Sequence, residues 1–264
     1  MKKIFKVLKW LAIVYIFITV LAYFFQEKLI FQPQVLPKDY TFQFDRNFEE
    51  VNLKTNDGEQ INALHFKVEQ PKGVVLYFHG NAGSLKGWGE VTRYFADLGY
   101  DAFVMDYRGY GKSTGSFNED KMYADAQLCY DYLKKQYDED YIIAYGKSLG
   151  TTFATKVAAD NNPRQLILEV PFYNLAHAGK HRFPFAPIFL LNYKFMTNVY
   201  IKEVTCPITF FHGTDDWITP YDDSKKLFEE VEVKQKKFIT IEGGSHNNLL
   251  QFDEYHLNLR EILK

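Results

Sequence analysis

The chain has 264 residues, 47% of them apolar and 24% charged, so it can bury a packed core and is not disordered by composition. Its 31 basic and 33 acidic residues give a net charge of −2, and beyond residue 26 the balance is 27 basic against 33 acidic, which supplies no counterion-release drive toward nucleic acid. Only two cysteines occur, Cys129 and Cys206, which excludes a disulfide scaffold and a thiolate zinc site and leaves both to be expected as small buried apolar groups.

Residues 10–26 contain no charged side chain. As a helix they span about 25 Å, and snorkelling of Lys6 and Lys9 lets Ile4 to Leu8 add a turn toward the ~30 Å of a hydrocarbon core. A core helix of a globular domain is amphipathic, whereas this stretch is apolar all round, and its far end carries Tyr23, Phe24 and Phe25, as a membrane interface favours. Lys2, Lys3, Lys6 and Lys9 precede the span and only Lys28 and Lys38 follow it closely, so the N-terminus is expected in the cytosol and the bulk of the chain on the exported side. A cleaved signal peptide, cut near Val20-Leu21-Ala22, is the alternative. The expected organisation is an anchor or signal peptide over 1–26, a linker lying on a surface over 27–47, and one domain over 48–264.

Within that domain Phe48–Lys54 and Gln60–Val68 flank Asn56-Asp57-Gly58, a hairpin signal. Val74–Phe78 is a short apolar run of the kind buried on both faces of a sheet. Ser84 suits the N-cap of a helix reaching Leu98, and Asn118 that of a helix with Glu119 and Asp120 at its start and Lys134 and Lys135 at its end. Strands are expected at 102–105, 141–145, 166–170, 208–212 and 238–241, alternating with helices. This β-α repetition predicts an α/β fold, a doubly wound and mostly parallel sheet flanked by helices, with its ligands at the carboxyl ends of the strands.

The chemistry-bearing residues fall at those ends. Gly146-Lys147-Ser148-Leu149-Gly150 joins a strand to a helix, the setting in which a serine is lifted on a tight turn as a nucleophile. The two glycines remove side chains that would collide with neighbouring backbone, and the Leu149 N–H would point at a developing oxyanion. His79-Gly80-Asn81-Ala82-Gly83 follows the buried strand, and the N–H of Asn81 is the expected second oxyanion donor, His79 being a loop-bracing residue. His212-Gly213-Thr214-Asp215-Asp216 offers two adjacent carboxylates, of which Asp216 is favoured to orient a histidine. Gly243-Gly244-Ser245-His246-Asn247 supplies that histidine, His246. No metal-ligand spacing occurs, so neither metal nor cofactor is expected.

Five stretches now carry a resemblance: 79–83, Asp106-Tyr107-Arg108-Gly109-Tyr110-Gly111-Lys112-Ser113, 146–150, 212–216 and 243–249. Over residues 48–264 the chain resembles the α/β-hydrolase family, and with its N-terminal span and Glu27–Pro33 it is similar to the membrane-anchored branch that includes depalmitoylating serine hydrolases. The resemblance implies an eight-stranded sheet, a Ser148, Asp216, His246 triad, and hydrolysis of a small acyl ester or thioester through an acyl-enzyme. It also implies that Arg108 braces the loop beside the pocket. Residues 171–205 are too short for a separate cap domain but rich in aromatics, divided in expectation between core packing and an acyl-binding or lipid-touching surface. The alternative function is a catalytically idle, membrane-tethered fold used for binding, against which an intact triad argues.

Overall fold

The strands alternate their side chains between two apolar layers. In Val74–Phe78, Val74, Leu76 and Phe78 join one layer while Val75 and Tyr77 join the other, so the strand has no solvent face. The computed structural model describes all residues, 1–264. Eight strands form the main sheet: β1 (Phe48–Lys54), β2 (Gln60–Phe66), β3 (Val74–Phe78), β4 (Asp101–Met105), β5 (Ile142–Lys147), β6 (Gln165–Glu169), β7 (Ile208–Gly213) and β8 (Lys236–Ile241). Their order across the sheet is β1-β2-β4-β3-β5-β6-β7-β8. The hairpin β1–β2 and the pair β2–β4 are antiparallel, and every pairing from β4 to β8 is parallel. The reversal of order at β3 places it directly beside β5, with Phe78 paired to Gly146, so the turns that follow these strands share one end of the sheet.

Helix α1 runs from Lys2 to Ile30, four residues past the expected end of the apolar span, and stops when the Phe31 N–H returns to the Glu27 carbonyl at 2.7 Å. Ser84 caps α2 (Leu85–Thr92) through the Lys86 N–H. The single helix expected up to Leu98 instead breaks at Arg93, with a short turn at Tyr94–Asp97 beyond it. There the Thr92 hydroxyl donates back to the Trp88 carbonyl at 2.7 Å, a bond that bends helices. Asn118 caps α3 (Glu119–Lys134), and α4 (Gly150–Asp160), α5 (Leu175–Arg182), α6 (Tyr221–Glu229) and α7 (Asp253–Ile262) complete the layers.

Residues 27–47 are built into the fold more firmly than a surface linker. Phe31, Leu36 and Phe42 are buried, Gln32–Pro33 pairs in parallel with Ala82–Gly83, and Val35 bridges Gly111. Phe31 stacks on Phe117 and meets Tyr193 and Phe195 edge-on. Residues 171–205 divide in two. Phe172, Tyr193 and Phe195 are core, held in part by the Glu119 carboxylate accepting the Phe195 N–H at 2.9 Å, while Phe183, Phe185 and Phe189 face outward. Cys129 and Cys206 are buried and unbridged.

Candidate active site

β5 ends at Lys147 and α4 begins at Gly150, so Ser148 and Leu149 make the whole reversal. The turn is possible only with Ser148 in the left-handed region, φ +49°, a conformation costing a non-glycine residue about 1–2 kcal/mol. It is held by the Ser148 N–H to the Glu169 carbonyl and the Thr151 N–H to the Ser148 carbonyl, both 2.9 Å. Space dictates the flanking glycines: a Cβ on Gly146 would stand 2.5 Å from the Gly150 carbonyl oxygen, and one on Gly150 would stand 1.9 Å from that of Phe78.

Two more strand ends converge on this turn. The loops after β7 and β8 approach so closely that a Cβ on Gly213 would lie 2.1 Å from the Gly244 carbonyl oxygen, and the Asp215 N–H donates to that same oxygen at 2.8 Å. The approach brings His246 between Ser148 and Asp216, with Nε2 2.9 Å from Ser148 Oγ and Nδ1 2.8 Å from Asp216 Oδ2. Of the two adjacent aspartates, Asp215 is exposed and Asp216 buried. Asp216 Oδ1 accepts the N–H groups of Ile218 and Thr219, both at 2.9 Å, and Oδ2 accepts the Thr219 hydroxyl at 2.8 Å. Burial alone would raise the Asp216 carboxyl; hydrogen bonds from His212 and His246 and the charge of His246 outweigh it and hold the group well below the usual carboxylate range.

The 79–83 turn lies against Ser148, since a Cβ on Gly80 would come within 3.9 Å of the Ser148 Cβ. The backbone N–H groups of Asn81 and Leu149 donate to no protein acceptor. The rest of Asn81 is held at three points. Its carbonyl accepts the Gln32 N–H at 3.1 Å and the Tyr110 hydroxyl at 2.7 Å, and its side-chain amide donates to the Ile30 carbonyl at 2.8 Å. His79 is fully buried, with Nδ1 2.6 Å from the Gly80 carbonyl and Nε2 3.4 Å from Asp106. Asp106 also accepts the Leu85 N–H at the start of α2, and burial raises its carboxyl despite these contacts. Arg108 grips Asp125 with two hydrogen bonds of 2.6 and 2.8 Å and reaches Asp57 at 3.1 Å, the bracing that the resemblance implied.

Three features of the site escape the sequence reading. Thr219 ties Asp216 to the His246 ring, with its hydroxyl 3.1 Å from Nδ1. His212 places Nε2 2.8 Å from the Thr219 carbonyl and 3.3 Å from Asp216. Beneath the elbow Lys147 and Glu169 form a buried ion pair, and the Tyr145 hydroxyl donates to Glu169 at 2.6 Å. Lys147 and His212 lie inside the 146–150 and 212–216 motifs, whose spacing assigns neither a role, and Thr219, Glu169 and Tyr145 lie in stretches with no distinguishing pattern.

A serine, a carboxylate and a histidine appearing in that order along the chain, on loops at one end of this sheet, are the arrangement of the α/β-hydrolase fold. A family model described as "Serine aminopeptidase, S33" matches residues 69–202 and 193–253, and the chain belongs to that family. It is similar to the lysophosphatidylserine lipase ABHD12 of Gallus gallus, 31% identical over 221 residues that cover 72% of this chain and 58% of that protein. It is also similar to protein bem46 of Schizosaccharomyces pombe, 28% identical over 284 residues covering 98% and 94% of the two chains. The chain thus spans less than two thirds of the length of the lipase it matches. Among solved structures, an esterase of Pyrococcus furiosus superposes with a TM-score of 0.73 at 18% identity, covering 89% of this chain and 97% of that one, a likeness of fold.

Proposed function

We propose that the chain is a single-pass membrane-anchored esterase or thioesterase acting on acyl-lipid substrates, with α1 as the anchor, its N-terminus in the cytosol and the catalytic domain on the exported side. The observation that carries the chemistry is the unbroken chain Ser148 Oγ, His246, Asp216, at 2.9 and 2.8 Å. In this reading His246 Nε2 takes the proton of Ser148 as Oγ bonds to the acyl carbon. Asp216 fixes the ring with Nδ1 protonated and stabilises the imidazolium. The N–H groups of Asn81 and Leu149 receive the oxyanion at the positive end of α4. As the acyl C–O or C–S bond breaks, the leaving group takes the proton from His246. Water then attacks the acyl-enzyme by the same route and releases the acid.

The acyl-lipid assignment is supported by the similarity to the lysophosphatidylserine lipase ABHD12 and by the long apolar helix α1. The orientation is supported by the four lysines that precede the apolar span. The test is labelling of the full-length protein in detergent with a fluorophosphonate, followed by hydrolysis of p-nitrophenyl esters of increasing acyl length. Wild type should label and turn over, and Ser148→Ala should lose labelling and about 10⁶ in kcat. A folded wild-type protein that neither labels nor hydrolyses any ester or thioester would overturn the assignment.

A further inference from the structure

Residues 183–191 read Phe-Pro-Phe-Ala-Pro-Ile-Phe-Leu-Leu, nine positions without one polar side chain. Such a run belongs in a core, yet Phe183, Phe185 and Phe189 are 59%, 86% and 83% exposed. Loops that face water do not keep an unbroken apolar sequence, and a patch of this kind marks an interaction surface. Much of its backbone is paired locally: Pro184 and Pro187 have no N–H, and those of Phe183, Ala186, Ile188, Leu190 and Leu191 are bonded to carbonyls within the segment or in α5, while those of Phe185 and Phe189 donate to no backbone carbonyl.

The neighbour of this segment is α1. The Tyr15 hydroxyl donates to the Phe185 carbonyl at 2.9 Å, Gln26 Oε1 accepts the Asn192 N–H at 2.8 Å, and the Tyr193 hydroxyl donates to Glu27. From Gln26 to Tyr15 the helix rises about 16 Å, so the segment descends alongside roughly half of the apolar span. Where α5 leads into the segment, the Arg182 guanidinium lies 4.6 Å over the ring of Trp217, itself 60% exposed and one residue from Asp216. Lys180, His181 and Arg182 close α5 just before the apolar run begins. A Trp–Arg pair above an apolar wedge is the arrangement suited to the headgroup level of a bilayer.

We propose that residues 183–191 form a second membrane contact, inserted into the bilayer beside α1, with Arg182 and Trp217 at the headgroup level, so that the catalytic cleft opens onto the leaflet that holds its substrate. The occupant of this surface is lipid, because the exposed apolar loop is tied to the anchor helix at Tyr15 within its apolar span and at Gln26 at its end. The inference rests on the anchor reading above and adds a consequence for substrate choice: an acyl ester embedded in the membrane is presented to Ser148 without crossing water.

The full-length protein in phosphatidylcholine vesicles provides the test. Single cysteines introduced as Phe185→Cys, Phe189→Cys, Phe17→Cys and Leu257→Cys are labelled with an environment-sensitive fluorophore, while the native cysteines are buried. Labels at 185 and 189 should behave like the label at 17, quenched by acyl-chain spin labels and shielded from an aqueous quencher, and the label at 257 should do the opposite. A protected 17 with water-exposed 185 and 189 overturns this proposal and leaves the anchor in place; an exposed 17 overturns both. Kinetically, the double variant Phe185→Asp/Phe189→Asp should keep its activity on a soluble short-chain ester in detergent. It should lose at least about tenfold on a long-chain ester held in vesicles. Equal loss, or no loss, on both substrates rejects the membrane contact.

Discussion

The side-chain amide of Asn81 donates to the carbonyl of Ile30, the last residue of α1, at 2.8 Å. One residue thus joins the end of the apolar helix to the turn that lies against Ser148. The Gln32 N–H and Tyr110 hydroxyl, both on the Asn81 carbonyl, complete the clamp.

Asn81→Ala keeps the backbone N–H and removes one of three restraints on it. Loss of an oxyanion donor outright costs about 10²–10³ in kcat, and a displaced donor should cost less, about tenfold, with KM little changed. Deletion through Leu36 should be far more damaging than deletion through Gln26, because it removes Phe31 and Leu36 from the core together with the Gln32 strand. Steady-state kinetics and thermal unfolding of the three proteins, each in the same detergent, distinguish these outcomes.

Thr219 should act as a positioning residue for the acid–base pair. Thr219→Val removes the hydroxyl that donates to Asp216 Oδ2 while keeping the shape of the side chain. The expected loss is about tenfold in kcat, recovered in Thr219→Ser, against about 10⁴ for Asp216→Asn, which presents the wrong group to Nδ1. A Thr219→Val protein with wild-type kcat would assign the hydroxyl a purely structural role.

Strain at the elbow gives a prediction about stability. Ser148 pays for its left-handed backbone, and glycine adopts that conformation freely. Ser148→Gly and Ser148→Ala should both be inactive, but the glycine variant should be the more stable by about 1 kcal/mol, or about 2–4 °C in Tm. Differential scanning calorimetry of the two variants reads the difference directly.

The elbow was legible because its determinants are local: Gly146 and Gly150 flank a serine exactly where strand meets helix, and steric need ties spacing to geometry. The apolar helix and the strand succession were legible for the same reason, since each is a pattern within one short stretch. What stayed hidden depends on partners remote in sequence. Phe31 looks like linker until Phe117, Tyr193 and Phe195 are placed around it. Gln32–Pro33 is too short for any periodicity and becomes a strand only against Ala82–Gly83. Thr219 gains meaning only when the β7 and β8 loops bring His246 to it. Residues 183–191 look like core by composition, and only their exposure in the fold separates them from Phe172 and Phe195.

His65, on β2 away from the active site, should govern part of the acid sensitivity of the fold. It is fully buried, its Nδ1 has no partner, and Nε2 lies 3.3 Å from the Tyr137 hydroxyl. Burial, with the nearby charge of Lys67, lowers it to about 4 against the opposing pull of Asp101 and Glu49. In the unfolded chain a histidine titrates near 6.5. Between these values the unfolded state binds the proton and the folded state does not, so the contribution is present in full above about pH 6.5 and is lost as pH falls toward about 4. At pH 5 the loss amounts to about 2 kcal/mol. His65→Phe keeps the ring against Phe103 and abolishes the titration. Its Tm should therefore fall less than that of wild type between pH 7 and pH 5, by several degrees, and parallel Tm–pH curves for the two proteins would show that the acid transition is set by other groups.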